Sequence, residues 1–160
     1  MKLSIIYYSK DGHTKEMAQV ISEGMKRVEG IEVGMFDLNN IDKAFIDESK
    51  AVVFGTPTYS ANLCWQMKKW LDESKEYNLE GKLGSAYATA GFSQGGPATA
   101  IATILNHLMV KGMLVYSGGS ALGKPYTHTG AVAITDRFEE SKDMFRIFGE
   151  RIAKKAKEIF

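Results

Sequence analysis

Residues 2–14 read Lys2-Leu-Ser-Ile-Ile-Tyr-Tyr8 and then Ser9-Lys-Asp-Gly-His-Thr14. The first part is rich in residues that favour a buried strand, and the second is a polar turn. From Lys15 onward, apolar residues recur at the spacing of a helix with one buried face, at Met17, Val20, Ile21, Met25 and Val28. A strand, a turn and an amphipathic helix in this order predict the first unit of an α/β fold.

The same alternation continues along the chain. We predict further strands at residues 31–35, 51–55, 85–89 and 113–116, and further helices at residues 40–48, 65–71, 97–109 and 137–159. Because helical crossovers return the chain to one sheet, this pattern predicts a five-stranded, doubly wound parallel sheet in a single domain, 1–160. The segment 118–136 is rich in Gly, Ser and Thr, and its length predicts a loop with a role in specificity.

Composition excludes several functional classes. The chain has 20 Lys and Arg against 19 Asp and Glu, a net charge of +1, so we expect no nucleic-acid partner. No apolar stretch approaches the ~18–20 residues that a membrane helix needs, so we expect no membrane partner. The only cysteine, Cys64, excludes an intrachain disulfide, and no signal-peptide pattern is present, which together predict a cytoplasmic location.

The first candidate site is the loop after strand one, because ligands of doubly wound sheets bind at the carboxyl ends of strands. Unpaired N–H groups at the start of the following helix favour a phosphate, and hydroxyl groups add donors. A simple helix cap formed by Ser9 or Thr14 is an equally good interpretation. The candidate phosphate-binding residues are Ser9, Lys10, Asp11, Gly12, His13 and Thr14.

Two more loops follow strands three and four. Tyr59 in the loop 56–62 and Phe92 in the loop 89–96 are aromatic residues that could stack on a planar ligand. Tyr59 could instead cover the sheet end, and Gly95 and Gly96 could simply begin the next helix. The candidate residues are Pro57, Thr58, Tyr59, Ser60 and Asn62 in one loop and Thr89, Ala90, Gly91, Phe92, Gln94 and Gly95 in the other.

A phosphate-binding loop beside two aromatic loops indicates a mononucleotide with a flat heterocycle. Three stretches carry a resemblance to a known superfamily: Tyr8-Ser-Lys-Asp-Gly-His-Thr-Lys-Glu-Met-Ala18, Gly55-Thr-Pro-Thr-Tyr59 and Gln66-Met-Lys-Lys-Trp-Leu-Asp72. They resemble the flavodoxin-like superfamily, and within it most of all the NAD(P)H:quinone oxidoreductases of the tryptophan-repressor-binding-protein type. The resemblance implies FMN as cofactor and a strand order of 2-1-3-4-5.

By position, the resemblance implies that residues 9–14 hold the FMN phosphate, residues 58–60 flank the isoalloxazine and residues 89–95 line its pyrimidine side. It also suggests that Tyr77 replaces an aromatic residue on the substrate side and that Lys111 lies near the flavin. Trp65, Met67 and Trp70 could partly face a second subunit in a homo-oligomer, although residues at this helical spacing more often belong to a core.

Charge guides the choice between enzyme and electron carrier. The loops 56–62 and 89–96 contain no Asp or Glu, and the net charge of +1 differs from the acidic balance usual in electron-carrying flavodoxins. We therefore favour an NAD(P)H-dependent reductase of quinones or similar small acceptors. The alternatives are a flavodoxin that carries single electrons between redox proteins, and a binding module without FMN.

Overall fold

The computed structural model describes all 160 residues. Seven strands are present: β1 Lys2–Tyr7, β2 Glu32–Asp37, β3 Ala51–Tyr59, β4 Asn62–Leu63, β5 Leu83–Ala90, β6 Leu114–Val115 and β7 Ala131–Ile134. Five α-helices connect them: α1 His13–Lys26, α2 Lys43–Glu48, α3 Trp65–Glu73, α4 Pro97–Val110 and α5 Phe138–Ile159. None of these helices combines the length and the apolar character that a membrane crossing requires.

The main sheet is parallel, with the order β2-β1-β3-β5-β6. Counted along the chain without the short hairpin strand β4, this is the predicted order 2-1-3-4-5, so the predicted fold class is confirmed. The chain runs outward from β1 to β2 and then returns to place β3 on the other side of β1. This reversal puts the ends of β1 and β3 at the point where doubly wound sheets bind ligands.

The sheet is covered on both faces, as a parallel sheet requires. One core packs α1 and α5 against the sheet, and the other packs α2, α3 and α4 against the opposite face. Trp70 packs in the second core against Phe54 and Tyr77, and Met67 is fully buried there, whereas the Trp65 side chain is exposed. Two of the three residues considered for a subunit interface therefore belong to the core.

The edge strand differs from its prediction. Residues 131–134 were expected to lie in a loop, but they form β7, which pairs with the carboxyl-terminal half of β5. β6 pairs with the amino-terminal end of the same strand, so one edge position is shared by two short strands. Residues 131–134 form a short apolar run in which Ala131 and Ala133 have a weak strand preference, and burial against β5 compensates for that weakness.

The segment between the two edge strands, residues 116–130, is held by one buried arginine. The guanidinium of Arg151 on α5 donates hydrogen bonds of 2.9–3.5 Å to six backbone carbonyl oxygens and to no carboxylate. A charged, multiply bonded donor of this kind orders the backbone around it. The carbonyls belong to Gly118, Gly119, Leu122, Gly123, Lys124 and Pro125.

We expect Arg151→Met to lower the free energy of unfolding by about 2–4 kcal/mol, because hydrogen bonds to a charged group are lost inside the fold. Limited proteolysis should then cut first within residues 116–130. Chemical denaturation and peptide mapping measure both effects, with Lys154→Met on the exposed face of the same helix as the control. Equal stability of the two variants would contradict the role given to Arg151.

Candidate functional site

A cavity of about 230 Å³ lies at the carboxyl ends of β1, β3 and β5. Eleven of its 14 lining residues were candidates from the sequence: Ser9, Lys10, Asp11, His13, Thr14, Pro57, Thr58, Tyr59, Thr89, Ala90 and Gly91. The other three are Ala133, Thr135 and Phe138. The three predicted loops therefore meet in one cavity, as the carboxyl-end rule for parallel sheets requires.

The first loop presents unpaired backbone donors. Gly12 precedes α1 with a φ of 97°, a left-handed conformation that a side chain would strain. The backbone N–H groups of residues 10–14 donate no hydrogen bond within the chain, and only the next one, Lys15, reaches the Ser9 hydroxyl at 3.2 Å. Ser9 therefore caps a single N–H group, and the remaining donors suit an anion at the positive end of the helix.

Thr14 is anchored to β5 through two atoms. Its side chain is buried, and its Oγ1 lies 2.8 Å from Oγ1 of Thr89. The Tyr87 hydroxyl donates to the Thr14 carbonyl oxygen, also at 2.8 Å. Space for the Tyr87 ring comes from Gly55 on β3, where an added Cβ would lie 2.1 Å from the ring. The first turn of α1 is therefore fixed to the sheet by polar contacts as well as by packing.

The second predicted loop is mostly strand. β3 continues to Tyr59 and pairs antiparallel with β4 through a tight turn at Ser60 and Ala61, whose φ values are 47° and 64°. The prediction of a loop at 56–62 was therefore wrong, because hairpin pairing with Asn62 and Leu63 extends the strand. Tyr59 still lines the cavity, together with Pro57 and Thr58.

Two candidates from this segment lie outside the cavity. Ser60 is exposed in the turn. The Asn62 side-chain oxygen accepts hydrogen bonds of 2.8 Å from the Leu63 N–H and from the Thr103 hydroxyl on α4, so this side chain is engaged in the hairpin. By contrast, the buried Thr58 hydroxyl has no hydrogen-bond partner within the chain. An unpaired buried hydroxyl in a cavity wall indicates a partner from outside the chain.

The third loop divides between cavity and helix start. Thr89, Ala90 and Gly91 line the cavity. Phe92 is 71% exposed and, like Gln94 and Gly95, is absent from the lining. Gln94 and Gly95 form a short 3₁₀ turn at Ser93–Gly95, and Gly96 then precedes α4. Part of this loop therefore serves to begin the next helix, which was the alternative interpretation of its glycines.

The residues that sequence reasoning missed come from the end of the chain. Ala133 lies on β7, Thr135 lies in the short 3₁₀ turn that follows this strand, and Phe138 is the first residue of α5. The Phe138 ring packs against His13 with 4.9 Å between ring centroids, which closes the cavity beside the first loop. The apolar run at residues 131–134 was the available signal for a further strand.

Tyr77 and Lys111 lie far from this cavity. Tyr77 precedes the amino end of β5, Lys111 precedes the amino end of β6, and both line a separate cavity with Glu80. The eight residues of β5 separate the two ends of the sheet by roughly 20–25 Å. Their suggested places on the substrate side and near the flavin were therefore wrong, because both residues precede strands instead of following them.

Electrostatics near Tyr59 include an acidic group from the first loop. Burial raises the pKa of the Tyr59 phenol, and Tyr8, Cys64 and Asp11 raise it further. The loops 56–62 and 89–96 contain no acidic residue, but the cavity does contain one, because Asp11 also lines it. Burial raises the pKa of the Cys64 thiol, which agrees with a packing role for this residue.

Comparison with known proteins places this geometry in a family. A family profile described as flavodoxin matches residues 5–125. A flavodoxin of Clostridium saccharobutylicum is 58% identical over 160 residues, which cover 100% of both chains. The chain belongs to the flavodoxin family. The resemblance to the flavodoxin-like superfamily is therefore confirmed.

Similarity at lower identity extends to two other proteins. An NAD(P)H dehydrogenase (quinone) of Aromatoleum aromaticum is 31% identical over 155 residues, covering 79% of this chain and 72% of that protein. The solved structure of a flavodoxin, WrbA-like protein from Agrobacterium tumefaciens has a TM-score of 0.81 at 23% identity, covering 99% of each chain. The sequence identity to a flavodoxin is thus much higher than the identity to the quinone reductase type, which we had expected to be the most similar group from the motifs.

Alkaline pH should destabilise the fold through Tyr87. Its phenol is fully buried, and burial raises its pKa well above 10. The neutral phenol therefore stabilises the fold below the unfolded-state pKa of about 10, and this contribution falls as the pH rises beyond that value. Between pH 8 and 11, denaturant titration should show a loss in wild type about 1 kcal/mol larger than in Tyr87→Phe. The exposed Tyr126→Phe should behave as wild type, and an equal loss in all three would contradict the assignment.

Proposed function

We propose that this chain binds FMN in the cavity at the carboxyl ends of β1, β3 and β5 and carries single electrons between redox proteins. The observation that carries the proposal is the match, over the whole chain, to a flavodoxin at 58% identity. The cavity supports it with the two kinds of surface that FMN needs. These are a set of unpaired backbone donors for a phosphate and a wall with an aromatic side chain for a planar ring.

The residues present fit the cofactor. The N–H groups of residues 10–14 are unpaired, and the hydroxyl groups of Ser9 in the loop and Thr14 in the first turn of α1 line the same cavity. This set would hold the phosphate. Tyr59 and Pro57 on one side, and Ala90 and Gly91 on the other, would border the ring. The unpaired Thr58 hydroxyl supplies a further polar group in the ring region.

FMN, when bound, supplies the one- and two-electron chemistry of its flavin ring. The chain contributes binding, orientation and the exclusion of water. Tyr59 lines the cavity and is 37% exposed, so its side chain borders both the cavity and the solvent. A flavin ring bound beside Tyr59 would therefore lie near the protein surface, where a protein partner can exchange electrons with it without entering the cavity. Asp11 places a negative charge near this wall, which disfavours the gain of further negative charge there.

Reduction of a quinone by NAD(P)H is the second candidate function. Two observations favour it: the 31% identity to an NAD(P)H dehydrogenase (quinone), and the lack of Asp and Glu in residues 56–62 and 89–96. The net charge of +1 agrees with it as well. We rank it below the carrier because the identity to a flavodoxin is nearly twice as high and Asp11 adds an acidic group to the cavity.

FMN binding is tested first. Thr14→Ala should weaken FMN binding by about 10-fold or more, because it removes a hydroxyl from the phosphate loop and frees its first turn from Thr89. Cys64→Ala changes a fully buried residue outside the cavity lining and should leave the affinity within about 2-fold of wild type. Quenching of flavin fluorescence measures both. Equal effects would mean that Thr14 is only a structural residue of the helix.

Electron number is tested on the FMN-loaded protein. Anaerobic reductive titration should give two separated one-electron potentials, as a carrier of single electrons requires. Mixing with NADH or NADPH and a benzoquinone should give no sustained nicotinamide oxidation. Sustained oxidation of either nucleotide, together with a single two-electron potential, would contradict the electron-carrier function and support the NAD(P)H-dependent reductase. A wild-type chain that does not quench FMN fluorescence would remove both candidates and support a binding module without flavin.

A further inference from the structure

One polar contact beneath the cavity has no role in packing. Tyr87 lies within the interior strand β5, its side chain is fully buried, and the hydroxyl is the only polar group of that side chain. The ring packs edge-on against Phe145, with 5.7 Å between centroids, and fills the space that Gly55 leaves open. A phenylalanine would make the same ring contacts. The hydroxyl is therefore an added group whose burial requires a hydrogen bond.

That hydrogen bond reaches the first turn of α1. The Tyr87 hydroxyl donates to the Thr14 carbonyl oxygen at 2.8 Å. Two residues further along β5, on the same face of the strand, Thr89 pairs with the Thr14 side chain, also at 2.8 Å. β5 therefore fixes both the backbone and the side chain of Thr14. No other residue of α1 has a side-chain or carbonyl hydrogen bond to β5.

The turn fixed in this way is the one that carries the unpaired donors. The N–H groups of residues 10–14 lead into or lie within the first turn of α1, so their direction depends on how Thr14 is held. The residues next to the ring region, Thr89 to Gly91, continue directly from the strand that holds Thr14. Tyr87 thus links the position of the phosphate donors to the position of the wall beside the ring.

We propose that Tyr87 is a positioning residue, whose hydroxyl fixes the backbone donors of the first loop and so sets the preference of this chain for a flavin that carries a phosphate. The inference rests on the proposed FMN site. A donor array that is already ordered binds an anion without the entropic cost of ordering the loop. Loss of the hydroxyl should make the backbone donors of the first loop less ordered, while the surfaces that border the flavin ring stay unchanged.

The test compares FMN with riboflavin, which has the same ring and no phosphate. In Tyr87→Phe, the Kd for FMN should rise about 3- to 10-fold, in proportion to one hydrogen bond, and the Kd for riboflavin should stay within 2-fold of wild type. Calorimetry with inorganic phosphate on the flavin-free chain should show the same weakening. The matched control is Tyr7→Phe, a buried tyrosine of the same core whose hydroxyl makes no hydrogen bond within the chain.

Each outcome separates this inference from the proposed function. An equal loss of affinity for FMN and riboflavin would mean that Tyr87 has a general structural role. Unchanged affinity for both flavins would mean that its hydroxyl has no role in binding. Either result overturns the inference and leaves FMN binding by the wild-type chain unaffected. Loss of the fold in Tyr87→Phe, seen by circular dichroism, would also overturn it, because the hydroxyl would then be a requirement of the core. If wild type binds neither flavin, the proposed function fails, and the phosphate titration alone decides whether Tyr87 orders the donors.

Discussion

The contact of Thr14 with β5 holds the first turn of α1 at a fixed distance from the sheet. The backbone and side chain of Thr14 each make a 2.8 Å hydrogen bond to a residue of that strand. Around this point, the parallel register brings Tyr7 beside Gly55 and Pro57 beside Thr89. The cavity exists because three strand ends that are distant in sequence are aligned here, with the unpaired N–H groups of residues 10–14 at its edge.

A second anchor acts on the far wall of the cavity. Arg151 binds six backbone carbonyl oxygens between residues 118 and 125 and thereby orders the segment 116–130, which interrupts the edge strand. β7 resumes the strand directly beyond this segment and delivers Ala133, Thr135 and Phe138 to the cavity. The guanidinium is bound only by carbonyl oxygens, so its charge is satisfied by backbone dipoles of the segment that it organises.

The balance of charge bears on function less directly than the sequence suggested. Counting acids in two loops favoured a reductase, but Asp11 enters the same cavity from the first loop. Net charge influences association with partners, not the reaction at the ring. Family membership is a firmer basis for the proposed carrier, since the identity to a flavodoxin extends over the whole chain. The fold itself is compatible with either function.

The sequence by itself determined the fold class and most of the cavity, because apolar periodicity and turn residues are local signals, and parallel topology brings the loops after the strands to one edge of the sheet. The strand order was implied by the resemblance of three stretches to the flavodoxin-like superfamily. Sequence reasoning failed where pairing partners decide structure. The extension of β3 to Tyr59 and the existence of β7 depend on hydrogen bonds to other strands. Only the tertiary structure decided that Tyr87 bonds to Thr14, that Phe138 covers His13 and that Lys111 lies at the opposite end of the sheet. Those facts depend on the alignment of strand ends distant in sequence, and no local pattern carries that information.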